Sequence, residues 1–244
     1  MTKIDILAIG VHPDDIELSC SGTLLSHIAM GKTVGLLDLT RGELGTRGSA
    51  EIRDAEAADS AKLMGAKFRV NLAMADGFFQ YNKEDLLRVI QVIRASQPEI
   101  ILTNALSDRH PDHGRAAKFT ADACFYSGLL KIETKDEQGN TQEKWRPNAV
   151  YHYIQDFNLK PDFVVDITEF MDKKLELVQA FRSQFFVPGA DEYSQEASSP
   201  ISGKDFFEFL NSKARTYGRH AGFEYAEGFN KSRDIGVKDL FDLS

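Results

Sequence analysis

Two short polar segments carry the residue types and spacing that catalysis or metal binding would need. Residues 12–15 read His-Pro-Asp-Asp and follow the mostly apolar run 4–9, while residues 110–113 read His-Pro-Asp-His and follow the apolar run 100–103. Each segment therefore begins where a buried strand is predicted to end. In open α/β sheets ligands bind at the carboxyl ends of the strands, so these two segments are the candidate chemical centre.

The imidazoles and carboxylates of the two segments match the ligands of a hydrolytic zinc site. Such a site takes three protein ligands, commonly histidines with one carboxylate, and keeps one position open for water. His12, Asp15 and His113 could supply that set. Asp14 would then remain free to act as a base. The competing interpretation is a metal-free site in which the histidines and aspartates hydrogen-bond one another.

The elements predicted around the two segments decide where they lie. Strand and helix patterns alternate through the first half of the chain. Strands are predicted over 4–9, 33–39, 68–74 and 100–103, and helices begin near residues 15, 49, 86 and 116. This rhythm predicts an α/β fold, a Rossmann-like and mostly parallel sheet with helices on both faces, plus a smaller C-terminal subregion. We expect residues 1–244 to form a single domain.

Strand order decides whether the two segments meet. In the 3-2-1-4-5 order of doubly wound sheets, strands one and four are neighbours, and the order reverses between them. The segments 12–15 and 110–113 follow those two strands. We therefore expect the segments to face each other across the crevice at the switch point.

The second half of the chain has weaker patterns. Further elements are predicted as strands over 149–154 and 163–167, helices over 171–181 and 206–217, and a polar hairpin tip at 136–140. The stretch 187–203 is rich in Ser, Pro and Gly and is long enough for a loop that covers a site. The tail from Gly218 onward has no clear period.

Composition and charge exclude some classes of binding partner. The chain has 244 residues, 42% of them hydrophobic, and its apolar runs are too short to span a bilayer. A net charge of −8 argues against a nucleic-acid backbone as partner, and the N-terminus does not read as a signal peptide. Cys20 and Cys124 lie in helical patterns and are expected to be buried, reduced thiols. We therefore expect a cytoplasmic protein with neither nucleic-acid nor membrane partners.

The two segments, in this order and spacing, resemble those of the PIG-L/LmbE-like zinc deacetylases, which act on N-acetylglucosaminyl compounds. The resemblance is closer still to the N-acetylglucosaminyl-malate deacetylases of bacillithiol biosynthesis. It extends through residues 40–48 (Thr-Arg-Gly-Glu-Leu-Gly-Thr-Arg-Gly), Arg53 and residues 225–229 (Tyr-Ala-Glu-Gly-Phe), and so covers essentially the whole chain. It implies a hydrolase that removes the acetyl group from an N-acetylglucosaminyl conjugate, a small-molecule substrate.

The resemblance also implies roles for individual residues of the two segments. The zinc ligands are the positions of His12, Asp15 and His113, the general base is Asp14, and His110 assists the oxyanion. The metal could be Zn²⁺ or Fe²⁺, because two histidines and one carboxylate suit both ions. Relatives form homo-oligomers, hexamers among them, which implies a homo-oligomer here.

Further residues are assigned to catalysis and substrate binding. We expect the Asp112 carboxylate to hold the His110 imidazole in orientation and to favour its charged form. The resemblance implies that Arg53, Asp76 and Tyr193 contact the substrate, Asp76 at a sugar hydroxyl and Tyr193 at the tetrahedral intermediate. Without the resemblance these three residues are a solvated helical arginine, a turn aspartate and a loop tyrosine.

Other functions stay open at this point. A chitooligosaccharide could replace the malate conjugate, because branches of the family share the zinc motifs. A metal phosphoesterase also uses clusters of histidine and aspartate, although it commonly recruits two metals and more carboxylates. A Rossmann-like nucleotide-binding module without catalysis is disfavoured, since the turn after the first strand carries residues 12–15 where a G-x-G-x-x-G fingerprint would stand.

Overall fold

The computed structural model is built on one mixed sheet. It describes residues 1–189, 193 and 195–243, with residues 242 and 243 described in backbone only. Within these residues seven strands form the sheet: β1 (Ile6–Gly10), β2 (Val34–Thr40), β3 (Arg69–Met74), β4 (Ile100–Thr103), β5 (Ala149–Tyr153), β6 (Phe163–Asp166) and β7 (Ala226–Lys231). Their spatial order is β3-β2-β1-β4-β5-β7-β6. All neighbouring pairs from β3 to β5 are parallel, and β7 is antiparallel to both β5 and β6.

Helices cover both faces of the sheet. The described part of the chain contains six α-helices: α1 (Asp15–Ala29), α2 (Ala50–Met64), α3 (Lys83–Ser96), α4 (Pro111–Ser127), α5 (Met171–Gln179) and α6 (Asp205–Ala221). Short 3-10 turns cover Thr168–Phe170 and Leu240–Leu243. Among the helices of the described residues, none is long and apolar enough to cross a bilayer.

Two hydrophobic cores lie on the two sides of the sheet because successive side chains of a strand point to opposite faces. Leu7 and Ile9 pack against helices α3 and α4 in one core, whereas Ile6 and Ala8 pack against helix α1 in the other. Strands β1 and β2 are consequently buried along their whole length. The predicted α/β class with a mostly parallel sheet and the predicted 3-2-1-4-5 order are both confirmed.

Local signals in the sequence set several helix ends. The Ser49 side chain caps α2 by accepting a hydrogen bond from Ile52 N, and Gly65 ends that helix with φ 84°, a conformation that glycine adopts without strain. Pro111 lies in the first turn of α4, where backbone N–H groups have no partner within the helix, so the missing N–H of proline costs no hydrogen bond. Helix α4 therefore begins at the second polar segment itself, five residues before the predicted start.

Strand β7 was not predicted, because the tail from Gly218 onward shows no clear period in its sequence. Its sequence includes Gly228 and Asn230, which have low strand propensity. Glycine nevertheless fits this position, since a Cβ here would lie only 3.1 Å from the Tyr217 ring. The hairpin tip predicted at 136–140 is confirmed by an antiparallel bridge between Lys135 and Thr141.

Candidate metal centre

The turn between β1 and α1 holds the first polar segment in a strained conformation. Asp14 is the N-cap residue of α1 and has φ 109° and ψ −25°, a left-handed conformation that residues other than glycine rarely adopt. Asp15 is the first helical residue and is 1% exposed. Backbone strain of this kind concentrates at functional sites, where the surrounding structure holds it in place.

The second polar segment lies beside the first. Strand β4 pairs in parallel with β1, so the carboxyl ends of both strands lie at one edge of the sheet. His110 is the N-cap residue of α4, and His113 lies in its first turn. The ring centroid of His12 is 4.6 Å from that of His110 and 5.6 Å from that of His113. The structure therefore brings the two segments together, as the strand order predicted.

Asp15 lies between two imidazoles. Its Oδ1 is 3.2 Å from His113 Nε2, and its Oδ2 is 3.7 Å from His12 Nδ1. One ring nitrogen each of His12, His110 and His113 also lie within 4.8 Å of one another. Imidazole nitrogens converging with a carboxylate are a donor set that Zn²⁺ and Fe²⁺ accept. The residues present thus fit a divalent metal ion.

The outer nitrogens of both rings contact further carboxylates. His113 Nδ1 lies 2.5 Å from Asp108 Oδ2, and His12 Nε2 lies 3.0 Å from Asp76 Oδ1 and 3.5 Å from Asp112 Oδ2. In metal sites a ligating histidine almost always donates its second N–H to such an acceptor, which fixes the ring and its tautomer. These contacts leave His12 Nδ1 and His113 Nε2 as the nitrogens that face Asp15.

The Asp15 carboxylate is itself held by four donors. Its Oδ2 accepts hydrogen bonds from the backbone N–H groups of Val11 and His12 at 3.0 and 2.9 Å and from Asn104 Nδ2 at 2.9 Å. Its Oδ1 accepts from Gln155 Nε2 at 2.7 Å. Burial raises the pKa of Asp15, but the imidazoles of His113 and His12 and the hydrogen bond from the His12 backbone N–H outweigh burial and hold the pKa well below its usual range. Asp15 is therefore an ionised carboxylate in a fixed orientation.

The two imidazoles facing Asp15 bind protons tightly when no metal competes. Burial lowers their pKa values, but the carboxylates in contact with each ring outweigh burial and raise the pKa of His12 to about 9 and that of His113 to about 10. A metal ion has to displace those protons at neutral pH, because only the deprotonated imidazole is a ligand.

Asp14 is buried and is held by Arg53. Arg53 Nη2 donates to Asp14 Oδ2 at 2.8 Å and to Pro13 O at 2.5 Å, and its Nη1 donates to Gly42 O at 3.1 Å. Gly42 makes this approach possible, since a Cβ there would lie 2.0 Å from Arg53 Nη1. Burial raises the pKa of Asp14 to about 7, although the Arg53 charge opposes it. A pKa near neutrality suits a group that accepts and returns a proton.

His110 and Asp112 do not form the predicted pair. The buried Asp112 carboxylate accepts a hydrogen bond from Gly77 N at 2.9 Å and contacts Arg115 and His12. His110 Nδ1 instead accepts from the Asp112 backbone N–H at 3.3 Å, so the proton of a neutral His110 ring is on Nε2. Burial and the charges of the neighbouring imidazoles lower the pKa of His110. The charge of the Asp112 carboxylate raises the pKa of His110, as expected, but burial and the neighbouring imidazoles outweigh it. The contacts of this carboxylate are with His12, Gly77 N and Arg115, so a carboxylate hydrogen bond that orients the His110 ring is not observed among the described residues.

A cavity of about 270 Å³ opens over these residues. The two polar segments form its base, and its walls come from residues 44–46, residues 199–201 and helix α6. This volume is close to the lower end of the range for small-molecule sites, roughly 300–1,000 Å³. The site is thus a concave pocket with its titratable groups at the bottom.

Two of the three residues predicted to contact substrate line the cavity, namely Arg53 and Asp76. Both already have protein partners. The Asp76 carboxylate contacts His12 through Oδ1 and accepts a hydrogen bond from Leu44 N through Oδ2 at 2.9 Å. Arg53 contacts Asp14, although its Nε is buried without a hydrogen-bond partner within the described residues. Contact of either residue with a substrate stays a prediction.

The loop 187–203 contributes to the cavity wall. Arg47, in the segment 40–48, contacts this loop by donating a hydrogen bond to the backbone carbonyl of Tyr193 at 2.9 Å. Tyr193 is not among the described residues that line the cavity. Its neighbours 190–192 and 194 lie outside the described residues. The proposed contact of Tyr193 with the tetrahedral intermediate stays a prediction.

Comparison with known proteins identifies the family. Residues 7–124 match the PIG-L family model, described as GlcNAc-PI de-N-acetylase. The chain is also 31% identical over 125 residues to the uncharacterized deacetylase YaiS of Escherichia coli, a match that covers 49% of this chain and 67% of that protein. The chain belongs to the PIG-L family. The solved structure of the conserved protein TT1542 from Thermus thermophilus is 33% identical, with a TM-score of 0.82, and the match covers 96% of this chain and 98% of that one.

Other relatives of this PIG-L chain differ in the reaction they are named for. The diacetylchitobiose deacetylase of Thermococcus kodakarensis is 29% identical over 234 residues, covering 91% of this chain and 81% of that protein. The solved structure of the N,N'-diacetylchitobiose deacetylase from Pyrococcus horikoshii is 27% identical, with a TM-score of 0.77 and coverage of 97% and 88%. The 4-oxalmesaconate hydratase of Pseudomonas putida is 26% identical over 196 residues, covering 73% of each protein. The reaction therefore has to be argued from the site.

Three residues that anchor the site in this PIG-L chain were not predicted from the sequence. Asp108 contacts the outer nitrogen of His113, and Asn104 and Gln155 donate to the carboxylate of Asp15. Asn104 directly follows β4, and Gln155 lies two residues after β5. Their position at the carboxyl edge of the sheet is the signal that could have found them.

Proposed function

We propose that this protein is a metal-dependent N-deacetylase that hydrolyses the acetamide of an N-acetylglucosaminyl conjugate, with N-acetylglucosaminyl-malate of bacillithiol biosynthesis as its substrate. One observation carries the proposal. The Asp15 carboxylate lies between His12 Nδ1 and His113 Nε2, and the buried Asp14 carboxylate lines the same cavity. The deacetylases among the relatives support the same reaction.

His12, Asp15 and His113 would hold the metal ion, with Zn²⁺ as the first candidate and Fe²⁺ as the alternative. When bound, the metal would polarise the acetamide carbonyl and lower the pKa of water toward about 7. The protein supplies the orientation. Both imidazoles keep a carboxylate on their outer nitrogen, so the rings are fixed before any ion binds.

Asp14 is the candidate for proton transfer. It accepts a proton from the attacking water as the water oxygen adds to the carbonyl carbon of the substrate. The C–N bond then breaks, and the leaving nitrogen takes a proton from Asp14 or His110, which yields acetate and a primary amine. With a pKa of about 7, Asp14 can both accept and return a proton near neutral pH. A positioned base of this kind contributes roughly 10²–10⁴-fold in rate.

His110 is the candidate for stabilising the oxygen on which negative charge develops. It lines the cavity beside the other two imidazoles. Its Nδ1 is occupied by the Asp112 backbone N–H, so Nε2 is the atom that can donate a hydrogen bond. A donor already positioned at that oxygen needs no rearrangement during the reaction, which is the basis of oxyanion stabilisation.

The cavity wall also offers groups for a sugar with an acidic aglycone. Asp76 is retained as the candidate acceptor for a sugar hydroxyl, and Arg53 and Tyr193 as candidate substrate contacts. Arg109 also lines the cavity; its side chain is 48% exposed and pairs with Asp156 at the surface. A carboxylate of malate could compete with Asp156 for this guanidinium, because a surface ion pair is weak.

The alternatives are one other substrate for the same reaction and two other reactions. A chitooligosaccharide is the second candidate substrate, favoured by the two diacetylchitobiose deacetylases among the relatives. A hydratase reaction is favoured by the relative from Pseudomonas putida. A metal phosphoesterase is the third candidate, since His12, Asp76 and Asp112 form a second group that could hold an ion. It has less support because His12 would then have to serve two metal ions.

Amine-release kinetics with a substrate panel test the proposal. The protein is stripped of metal with a chelator and then restored with Zn²⁺ or Fe²⁺. We expect metal-dependent release of primary amine, with a higher kcat/KM for N-acetylglucosaminyl-malate than for diacetylchitobiose. A 4-oxalmesaconate assay and a phosphate-ester assay cover the other reactions. Turnover of only those compounds, or amine release that persists without metal, would overturn the proposal.

Assembly into a homo-oligomer, hexamers included, stays a prediction of the resemblance, and a cytoplasmic location stays a prediction from the composition and the N-terminal sequence. Size-exclusion chromatography with light scattering on the purified chain would test the first of them directly.

A further inference from the structure

A second, smaller cavity of about 20 Å³ lies behind the candidate metal centre. Helices α1, α5 and α6, the end of strand β5 and strand β7 enclose it. Leu18, Gln155 and Leu210 line both this cavity and the larger one. A single layer of side chains therefore separates the two cavities.

Three of the residues that line the small cavity have a buried polar atom without a hydrogen-bond partner among the described residues: Ser19 Oγ, Gln155 Oε1 and Lys213 Nζ. Each of these atoms exposes less than 1 Å². Unpaired buried polar groups are rare in native proteins, and an internal water molecule commonly satisfies several of them together. One water needs roughly 10–15 Å³, so this cavity has room for one.

Gln155 links the small cavity to the metal centre. Its Nε2 donates to Asp15 Oδ1 at 2.7 Å. Because an ionised carboxylate only accepts hydrogen bonds, the amide has to present its NH₂ group to Asp15, and its Oε1 has to find a donor on the other side. Gln155 lines the small cavity together with Lys213, whose ammonium carries three N–H groups.

Lys213 is held among apolar rings and has no ion pair within the described residues. Its Nζ lies 5.6 Å from the ring centroid of Phe209 and 6.0 Å from that of Tyr217. The nearby carboxylate of Glu227 is already paired with Lys174 at 2.6 Å. An oxygen acceptor in the cavity is therefore what the Lys213 ammonium requires.

We propose that Lys213 is a positioning residue for the metal centre, acting through one buried water molecule and Gln155. The water accepts a hydrogen bond from Lys213 Nζ and donates to Gln155 Oε1 and Ser19 Oγ, which gives all three atoms a partner. Gln155 Nε2 is thereby aimed at Asp15 Oδ1 before a metal binds. The inference rests on the proposed function only in taking Asp15 as a metal ligand.

Zinc titration of the full chain against a chromogenic chelator tests this role without any substrate. Lys213→Met keeps the length of the side chain but removes its donors, and we expect it to bind zinc about tenfold more weakly, as loss of an outer-shell partner commonly does. Lys213→Gln retains an N–H donor and should recover most of the affinity. Arg219→Met, an exposed substitution on the same helix, should bind zinc like the wild type.

Several outcomes would overturn the inference. Unchanged zinc affinity in Lys213→Met is one, and an equal loss in Lys213→Met and Lys213→Gln, which indicates general damage to packing, is another. A crystal structure should show a water within hydrogen-bonding distance of all three atoms, and its absence also counts against the inference. A wild-type chain that binds neither Zn²⁺ nor Fe²⁺ overturns both proposals. Weaker zinc binding by the variant, in a protein that hydrolyses no acetylated sugar, leaves the positioning role standing and removes the proposed reaction alone.

Discussion

The Arg53 guanidinium lies 2.8 Å from the Asp14 carboxylate, and both side chains are more than nine-tenths buried. The carbonyl oxygens of Pro13 and Gly42 hold the guanidinium from the other side. The arginine was predicted to contact substrate, but its observed partners are Asp14 and Pro13 in the turn that carries the candidate base and Gly42 in the loop after β2. Arg53 thus positions Asp14 in the structure, whatever else it contacts when substrate is present.

Removing the Asp14 carboxylate is expected to separate catalysis from metal binding. Asp14→Ala should reduce kcat by roughly 10²–10⁴-fold, the contribution of a positioned base, while the zinc content stays that of the wild type. Asp14→Asn serves as the variant closest in shape, and Asp54→Asn, a partly exposed carboxylate on α2, serves as the control. Amine-release kinetics and metal analysis check both halves. A near-normal kcat in the Asp14 variants would remove Asp14 from the role of base.

Arg53→Lys distinguishes a base-positioning role from substrate contact. Lysine keeps the charge but cannot reproduce the forked contacts with Asp14, Pro13 and Gly42. If Arg53 acts through Asp14, kcat should fall at least tenfold while KM changes little. If the guanidinium binds the substrate, KM should rise instead. Steady-state kinetics decide between the two, with Arg41→Lys, a partly exposed arginine in the loop after β2, as the control.

The carboxylate of Asp108 is expected to contribute to metal affinity through His113. Asp108→Asn removes the charged acceptor on His113 Nδ1 and should weaken zinc binding by roughly 10–100-fold, the usual effect of losing such a partner. Asp122→Asn, on helix α4, is the matched control and should leave the affinity unchanged. The measurement is chelator competition. Equal zinc affinities for the Asp108 and Asp122 variants would show that the 2.5 Å contact is not needed for binding.

The buried Arg69 network is expected to stabilise the fold. The Arg69 side chain is 6% exposed and bridges two buried carboxylates, Glu17 at 2.6 Å and Asp38 at 2.7 Å. Arg69→Met leaves both carboxylates uncompensated and should lower the free energy of unfolding by about 3–5 kcal/mol. Denaturant unfolding measures the change, with the exposed Lys67→Met as control. A loss below 1 kcal/mol would mean that the carboxylates become protonated or hydrated at little expense.

Lys213 is expected to make stability depend on pH. Burial, together with the charge of Lys174, lowers the pKa of Lys213 to about 8, against the charges of Asp108 and Asp156, whereas an unfolded lysine titrates near 10.5. Between these values the unfolded chain binds the proton that the folded chain has released. The free energy of unfolding of the wild type should therefore rise with pH relative to Lys213→Met, by about 3 kcal/mol across the window. Denaturant unfolding between pH 7 and 10 checks this, and parallel curves for the two proteins would contradict it.

Much of the architecture followed from local patterns in the sequence. The runs ending at His12 and before His110 predicted two strands, and the rules of parallel topology made those strands neighbours. The meeting of His12 with His113 could be predicted for that reason. Asp15 and His113 are close because short signals in the sequence position each of them. The apolar run of β1 ends just before Asp15, and Pro111 in the first turn of α4 sets the helix start beside His113.

The supporting residues could not be predicted in the same way. Asp108, Asn104 and Gln155 are ordinary polar residues at strand ends and in loops, and their contacts depend on how loops from β4 and β5 fold over one another. In the sequence Glu17 and Arg69 resemble charged residues on solvent-exposed faces. In the structure, helices packed on both faces of the sheet bury the two side chains as an ion pair. Such contacts form only when the sheet and helices pack together, and no periodic pattern in the sequence predicts them.

The insertion of β7 between β5 and β6 has a consequence for biosynthesis. During translation β5 and β6 emerge from the ribosome early, but neither finds its antiparallel neighbour until residues 226–231 have been made. The nascent chain consequently carries an open sheet margin for the time needed to synthesise some 60 residues, counted from Asp166 to Ala226. An exposed strand edge of this kind can pair with another chain and start aggregation. Synthesis of β7 therefore removes this risk by pairing with both β5 and β6.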